Sequence, residues 1–364
     1  MRFYEYCDRK ILSLTALCLV PFVLFGCAGV GPRSIQTGRA DYNEVINRTE
    51  DEQMLQSIIK GRYGETSSML AVSGVAANIR FITSAGVEAG FGSKDFSGEN
   101  LLIGGLAYEE NPTITYAPVQ GETYFRQLMS PVPLDILLMA VRSITDGNHM
   151  FTLLVNKVNR LRNPDFLDGS PAEPDSPFAR FVELVSELSK AGVLELVGDK
   201  QKEIAFNFVI SGYAPQFSQK VLEFLDLLDF PMQEDGTEDI IIPVHFAIKT
   251  GGFRGIAIST RSTFDLIEIL SAAIIVPPEH AQAGLTINYP PMGLPGQGVR
   301  IFSSPEKPDN MSLAVKYRGH WFYIDETDQI TKAVFRILRT LWSIIIAGSV
   351  DLQEDPILTI PVSR

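Results

Sequence analysis

The chain has 364 residues, of which 45% are hydrophobic and 20% are charged, and its formal net charge is −12. This composition is typical of globular proteins and excludes wholesale disorder. The acidic excess argues against nucleic-acid binding, because contact with phosphates needs clustered Lys and Arg. Three cysteines and four histidines argue against a disulfide framework or a zinc cluster. At roughly 100–200 residues per domain, the length allows two domains or one large one.

The N-terminus has the features of a bacterial lipoprotein signal. Residues 1–10 carry three basic side chains against two acidic ones, and residues 11–25 form an uncharged apolar run. That run is shorter than the roughly 20 residues that a spanning helix needs. It leads into Leu24-Phe25-Gly26-Cys27, which resembles the bacterial lipobox. The sequence therefore predicts a signal peptide over 1–26 and lipidation of Cys27. The alternatives are an uncleaved anchor and an ordinary secretory signal with an incidental cysteine.

Cleavage before Cys27 would determine which cysteine thiols the mature protein contains. It removes Cys7 and Cys18, so no thiol remains for a disulfide, a metal or a nucleophile. Several acyl chains on one cysteine give stable anchoring in a bilayer. Ala28 follows the cysteine, where enterobacterial lipoproteins retained in the inner membrane have aspartate. We therefore expect a lipid anchor in the outer membrane, with the body facing the periplasm.

Downstream of the cysteine, the pattern of apolar residues predicts helices and antiparallel strands. Residues 27–41 are predicted to be a lipidated tether, because they are rich in glycine and lack apolar periodicity. Residues 42–60 have helical spacing and end before Gly61. Alternation over 67–92 and a second candidate at 112–118 predict antiparallel β structure. Further helices are predicted over 122–129, 134–143 and 150–161.

The second half of the chain alternates strands and helices more regularly. Helices are predicted over 178–190, 217–228, 260–274 and 325–347, the last being the longest. Strands are predicted over 193–197, 203–210, 240–248, 255–259 and 357–362, with a strand pair over 313–324 that turns near Arg318-Gly319. Because helices follow hairpins without regular βαβ alternation, the expected fold class is α+β, with antiparallel sheets packed against amphipathic helices.

A proline-rich acidic segment suggests where the body divides. Residues 164–177 contain four prolines and little to bury, which is typical of a linker or surface loop. We therefore predict two α+β subdomains, an N-terminal one over 42–163 and a C-terminal one over 178–364.

Two polar clusters at predicted helix starts have both a functional and a structural interpretation. Asp325, Glu326 and Asp328 have oxygens suited to Ca²⁺ or Mg²⁺, but helix capping explains the same residues and is favoured. Thr260-Arg261-Ser262 is suited to binding an anion. The favoured alternative is a Thr or Ser cap, with Arg261 pairing a neighbouring carboxylate.

Motifs for catalysis, metals and cofactors are missing. His149, His245, His280 and His320 are far apart and have no HxH or HExxH spacing, so a zinc site would require three of them to converge by folding. The chain has no G-x-S-x-G elbow, P-loop or dinucleotide fingerprint. We therefore predict no catalytic residue, no metal site and no cofactor.

Short motifs across the mature chain are similar to those of uncharacterised lipoproteins of Gram-negative bacteria. They are Gly38-Arg39-Ala40-Asp41-Tyr42-Asn43, Thr49-Glu50-Asp51-Glu52-Gln53, Arg62-Tyr63-Gly64, Pro112-Thr113-Ile114-Thr115-Tyr116 and Pro356-Ile357-Leu358-Thr359-Ile360-Pro361-Val362. The resemblance implies a lipoprotein location and a shared α+β fold, and it implies no particular activity.

The leading functional expectation is a non-enzymatic binding or assembly component of the cell envelope. Its membrane contact would be the acyl chains on Cys27, its partner an envelope protein, and nucleic acid is not expected. The first alternative is a lipid-anchored hydrolase of cell-wall or lipid substrates, whose catalytic groups meet only on folding. The second is a carrier that holds a lipid in a hydrophobic cavity.

Overall fold

The computed structural model describes residues 30–67, 69–87, 102–119, 121–143, 147–167, 176–198, 206–231, 239–246, 255–350 and 358–361. Residues 1–51 and residues 52–364 are two compact units. In the first unit, the described residues are 30–51, which form the first part of a long helix. Val45 in this helix is exposed. The second unit contains the sheets and the core. Residues 1–26 and Cys27 lie outside the described residues.

The fold is α+β, as predicted. The helices are α1 (Val30–Arg62), α2 (Glu122–Met129), α3 (Leu134–Ser143), α4 (Gly147–Leu154), α5 (Pro177–Lys190), α6 (Ser218–Leu227), α7 (Thr263–Ala272), α8 (Pro278–Gln282) and α9 (Gln329–Val350). The strands are β1 (Met69–Val87), β2 (Leu102–Val119), β3 (Val155–Val158), β4 (Leu161–Arg162), β5 (Leu194–Gly198), β6 (Phe206–Ile210), β7 (Ile240–Phe246), β8 (Ile256–Thr260), β9 (Phe302–Ser304), β10 (Met311–Tyr317), β11 (His320–Asp325) and β12 (Leu358–Pro361).

These strands form three sheets. Two have three strands each, in the orders β1-β2-β12 and β10-β11-β9, and all of their pairs are antiparallel. The third has six strands in the order β4-β3-β8-β7-β6-β5. It is mixed and not purely antiparallel as expected, because β7 and β8 run parallel. Two strands of this sheet, β3 and β4, precede the predicted 164–177 linker in the chain, and the other four follow it. The subdomain boundaries stay a prediction.

Local sequence signals explain where several elements begin and turn. Ser176 caps α5 by accepting a hydrogen bond from the Ala179 backbone N–H, and Pro177 fits the first turn, where no backbone donor is needed. The hairpin between β10 and β11 turns at Arg318 and Gly319, which both have positive φ, as a two-residue type I′ turn requires. The predicted strand pair and its turn are confirmed.

Three helix predictions differ from the structure. The helix predicted over 150–161 ends at Leu154, because the chain continues as β3 and pairs with β8. The helix α1 begins at Val30, within the predicted tether, and its Pro32 lies in the first turn, where proline is tolerated. With 33 residues α1 is also longer than α9, which has 22 and was expected to be the longest helix.

A hydrophobic core joins the helices to the sheets within residues 52–364. Its largest fully buried side chains include Phe178, Phe181, Phe224, Phe322 and Trp342. Phe181 packs with its ring centroid 5.6 Å from that of Phe224, across α5 and α6. The face of α5 that carries Phe178 and Phe181 therefore packs into the core.

Candidate functional site

An apolar cavity lies between helices α3, α4 and α5 and the six-stranded sheet. Its volume is about 90 Å³. This is below the roughly 300–1,000 Å³ that is common for sites enclosing a whole drug-sized ligand, so the site has room for one ring or a short acyl segment of a ligand. The lining residues are Leu134, Leu137, Leu138, Val141, Phe151, Val185, Ser189, Leu196, Phe206, Phe208, Val244 and Ile258. We call it the apolar cavity below.

Helical and strand periodicity together produce this lining. The α3 residues Leu134, Leu137, Leu138 and Val141 follow the i, i+3, i+4, i+7 spacing that places side chains on one helix face. The strand residues come from one face of β5, β6, β7 and β8, where successive residues alternate between faces. The sheet register sets Phe206 opposite Val244. One helix face and one sheet face therefore meet across the cavity.

The chemistry of the lining is almost wholly apolar. Ser189 is the one polar lining residue, and no lining residue carries a charge. Ser189 is exposed, whereas Phe151 and Phe208 are buried, so the polar group lies on the exposed side of the site. Such a site binds through burial of apolar surface and has no charged group to bind an anion or to perform acid–base chemistry.

A buried arginine holds the elements beside the cavity together. The Arg261 side chain is fully buried at the end of β8 and forms an ion pair with Asp165 through Nε. Its Nη1 donates to the carbonyls of Leu153 at 2.9 Å and Val155 at 2.8 Å, and its Nη2 donates to the carbonyl of Asn163. These carbonyls lie at the end of α4, the start of β3 and the chain after β4.

The cap and carboxylate pairing predicted for residues 260–262 are therefore confirmed. Ser262 and Asp265 form a capping box at the start of α7, with Ser262 Oγ accepting from the Asp265 backbone N–H at 3.1 Å. Because all three guanidinium nitrogens of Arg261 donate to protein oxygens, the alternative anion site is wrong for this residue.

The acidic cluster after β11 also caps a helix. The Asp328 carboxylate accepts from the Thr331 backbone N–H at 3.0 Å and from its hydroxyl at 2.7 Å. Asp325 accepts from the Thr327 hydroxyl at 2.6 Å and from the Thr327 backbone N–H at 2.8 Å, and these two bonds hold the pKa of its carboxyl below the ordinary value. Glu326 pairs with Lys332 at 2.7 Å. The favoured capping interpretation is confirmed.

Two histidines that are distant in sequence come together at the surface of the body. The rings of His280 in α8 and His320 in β11 have centroids 5.0 Å apart. The Tyr63 hydroxyl lies 2.6 Å from His280 Nδ1, and His320 Nε2 lies 2.9 Å from a Glu279 carboxylate oxygen. Burial raises the pKa of Tyr63 to about 12. We call these four residues the histidine cluster.

Nothing in the described part of the chain forms a metal site or a membrane-spanning helix. Among the described residues, no group of three or more His, Cys, Asp or Glu side chains has an arrangement that would hold a metal ion. None of the described helices combines the length and hydropathy needed to cross a bilayer. His149 and His245 are half-buried and lie outside the histidine cluster. Cys27 lies outside the described residues.

The sequence did not predict the apolar cavity or the histidine cluster. Each lining stretch was recognised as an amphipathic helix or a strand, but the same pattern describes a closely packed core. The one signal of the histidine cluster was Arg62-Tyr63-Gly64 at a helix end, and its partners follow more than 200 residues later. No known protein-family model, curated protein or solved structure matches this chain.

Proposed function

We propose that this protein is a lipid-anchored binding component of the bacterial cell envelope, and that its body holds a hydrophobic ligand in the apolar cavity. The lipobox-like segment ending in Cys27 supports the membrane address. The apolar cavity supports the binding role, and it is the observation that favours a lipid or hydrophobic-ligand carrier within the broader class of envelope binding proteins. The site of contact with an envelope protein partner is a separate part of the proposal.

The cavity favours binding over hydrolysis. A hydrolase needs at least two polar groups within hydrogen-bond reach of each other and of the substrate. Ser189 is the one such group in the lining, and the buried Arg261 guanidinium, outside the lining, donates to Asp165 and to backbone carbonyls. The site can bind a ligand through apolar contacts and the exclusion of water.

A cavity-filling substitution tests the binding role. Val185→Phe adds a ring at a half-buried lining position of α5, and we expect it to weaken binding of the uncharged probe N-phenyl-1-naphthylamine by at least about tenfold, because the volume is occupied. Probe fluorescence in a titration of the purified body measures the affinity. Ser189→Ala should leave the affinity within about twofold, because an apolar ligand gains little from one exposed hydroxyl.

Leu222→Phe is the matched control for the cavity test. Leu222 lies on α6, is 46% exposed and does not line the cavity. We expect this variant to bind the probe as the unaltered protein does. If the unaltered protein does not bind the probe, or if the Val185 and Leu222 variants bind it equally well, the cavity is a packing feature and the carrier proposal is wrong.

The membrane address has its own test. Cys27→Ser removes the thiol whose diacylation precedes cleavage and acylation of the new amino terminus in a lipobox, so we expect complete loss of labelling by a palmitate analogue and transfer of the protein from the membrane to the soluble fraction. Cys18→Ser, within the predicted signal, should change neither. Unchanged labelling and fractionation of the Cys27 variant would contradict lipid anchoring.

A further inference from the structure

The apolar cavity has a closed end and an open side. The lining residues at the closed end are buried, and they include Leu134, Leu137, Phe151, Phe208, Val244 and Ile258. The lining residues at the open side are the exposed Ser189 and the half-buried Val141, Val185, Leu196 and Phe206. A ligand therefore enters past the half-buried residues and places its leading end among the buried ones.

The open side continues into an apolar surface outside the lining. Phe206 on β6 lies opposite Val244 on β7. Because side chains alternate between the two faces of a strand, Phe246 lies on the same face of β7 as Val244. Phe246 is therefore the diagonal neighbour of Phe206, and such neighbours are about 7–8 Å apart, within reach of aromatic side chains. Phe246 is 45% exposed. We call Phe206 and Phe246 the rim.

The cavity and the rim together favour a long, narrow ligand. The cavity has a volume of about 90 Å³, so most of a lipid-sized ligand stays outside it. A single ring would occupy the cavity and leave Phe246 in water. A straight acyl chain can fill the cavity with its methyl end and cover Phe246 with the methylenes that follow. Each methylene that is buried in this way adds to the affinity.

The lining also indicates where the polar end of the ligand lies. No lining residue carries a charge, and the one polar lining residue, Ser189, is exposed. A head group that entered the cavity would lose its hydration without gaining a hydrogen-bond partner. The head group therefore stays in water beyond the rim, and it contributes little to the affinity.

We infer that the apolar cavity binds the methyl end of a single straight acyl chain, whose next methylenes lie on the rim and whose head group remains in water. The inference rests on the proposed binding of a hydrophobic ligand, and it names the ligand class as straight-chain amphiphiles. Phe246 is then a residue that determines the preference for chain length.

Chain-length dependence tests the inference in the full-length Cys27→Ser protein, which has no thiol at the lipobox to acylate. Straight-chain alcohols from butanol to tetradecanol displace N-phenyl-1-naphthylamine in a fluorescence titration. We expect the affinity to rise by about fourfold per methylene, as for a methylene buried from water, and to level off once the cavity and the rim are filled. Decanol and decanoate should bind within about threefold of each other, because no charge in the lining meets the head group.

Cyclododecanol is the control for ligand shape. It has as many carbon atoms as dodecanol, but its closed ring has no chain end to enter the cavity, so we expect at least about tenfold weaker binding. If the probe binds and cyclododecanol displaces it as well as dodecanol does, the inference is wrong and the proposed binding role stands. If the probe does not bind at all, both are wrong.

Phe246→Ser tests the rim. We expect it to weaken the binding of dodecanol by about tenfold, the effect of about two methylenes left in water, and to leave the affinity for butanol within about twofold. Leu222→Ser is the matched control, because Leu222 is 46% exposed, lies on α6 and does not line the cavity. It should bind both alcohols as the unaltered rim does. If Phe246→Ser left dodecanol binding unchanged, or weakened both alcohols equally, the acyl chain would not lie on the rim and the inference would be overturned.

Discussion

Replacing Arg261 by methionine should lower the free energy of unfolding by about 3–5 kcal/mol, the usual cost of removing one partner from a buried ion pair. Methionine matches much of the length of arginine but donates no hydrogen bond. Asp165 would lose its cation, and the carbonyls of Leu153, Val155 and Asn163 would lose their donors in the interior. The midpoint of urea unfolding, followed by circular dichroism, measures the loss.

Arg180→Met is the matched control for this prediction. Arg180 forms a bidentate pair with Glu223 at 2.7 and 2.8 Å, so its hydrogen bonds resemble those of Arg261 in kind. Its side chain is 35% exposed, however, and surface pairs of this sort contribute at most about 1 kcal/mol. If both variants lost the same stability, burial would not be the reason for the importance of Arg261. Arg261→Lys should lie between the two, because lysine keeps the charge but not the planar set of donors.

Stability should fall between pH 10 and 12, and Tyr63 should account for up to about 2 kcal/mol of that loss. Burial raises the pKa of Tyr63 to about 12 in the folded protein, against about 10 in an unfolded chain. Because the folded state holds the proton more tightly, its contribution is complete below pH 10. It is lost as the pH rises through 12, since only the unfolded chain releases the proton easily.

Tyr63→Phe isolates this contribution. Phenylalanine keeps the ring contacts with Tyr317, at 5.1 Å, and Phe322, at 6.2 Å, but removes the ionisable hydroxyl and its bond to His280. We expect the variant to be about 1 kcal/mol less stable at pH 7, from the lost hydrogen bond, and to match or exceed the stability of the unaltered protein by pH 12, because only the unaltered protein loses stability through Tyr63. Urea midpoints measured at both pH values test this. An equal difference at pH 7 and pH 12 would contradict the burial of the hydroxyl in a neutral state.

Elements with strong local signals were predicted almost to the residue. The sequence predicted α2 and α3 with their observed bounds, and the capping residues Ser262 and Asp328 because caps are satisfied within one helical turn. The strand pair around Arg318-Gly319 was predicted from its turn. The local signal failed at β3. Its apolar residues continue the helical pattern of the preceding segment, but they form a strand because they pair with β8, about 100 residues later.

The α+β class, the main helices and strands and the capping roles were determined by the sequence itself, since each depends on residues within a few positions of one another. The parallel pairing of β7 with β8, the burial of Arg261 beside Asp165 and the meeting of His280 with His320 were decided by the tertiary structure. The tertiary structure also decided the apolar cavity, because the apolar face of α3 could equally well pack into a closed core or line an open site. The distance between a helix face and a sheet face depends on the packing of the whole body, which no local pattern encodes.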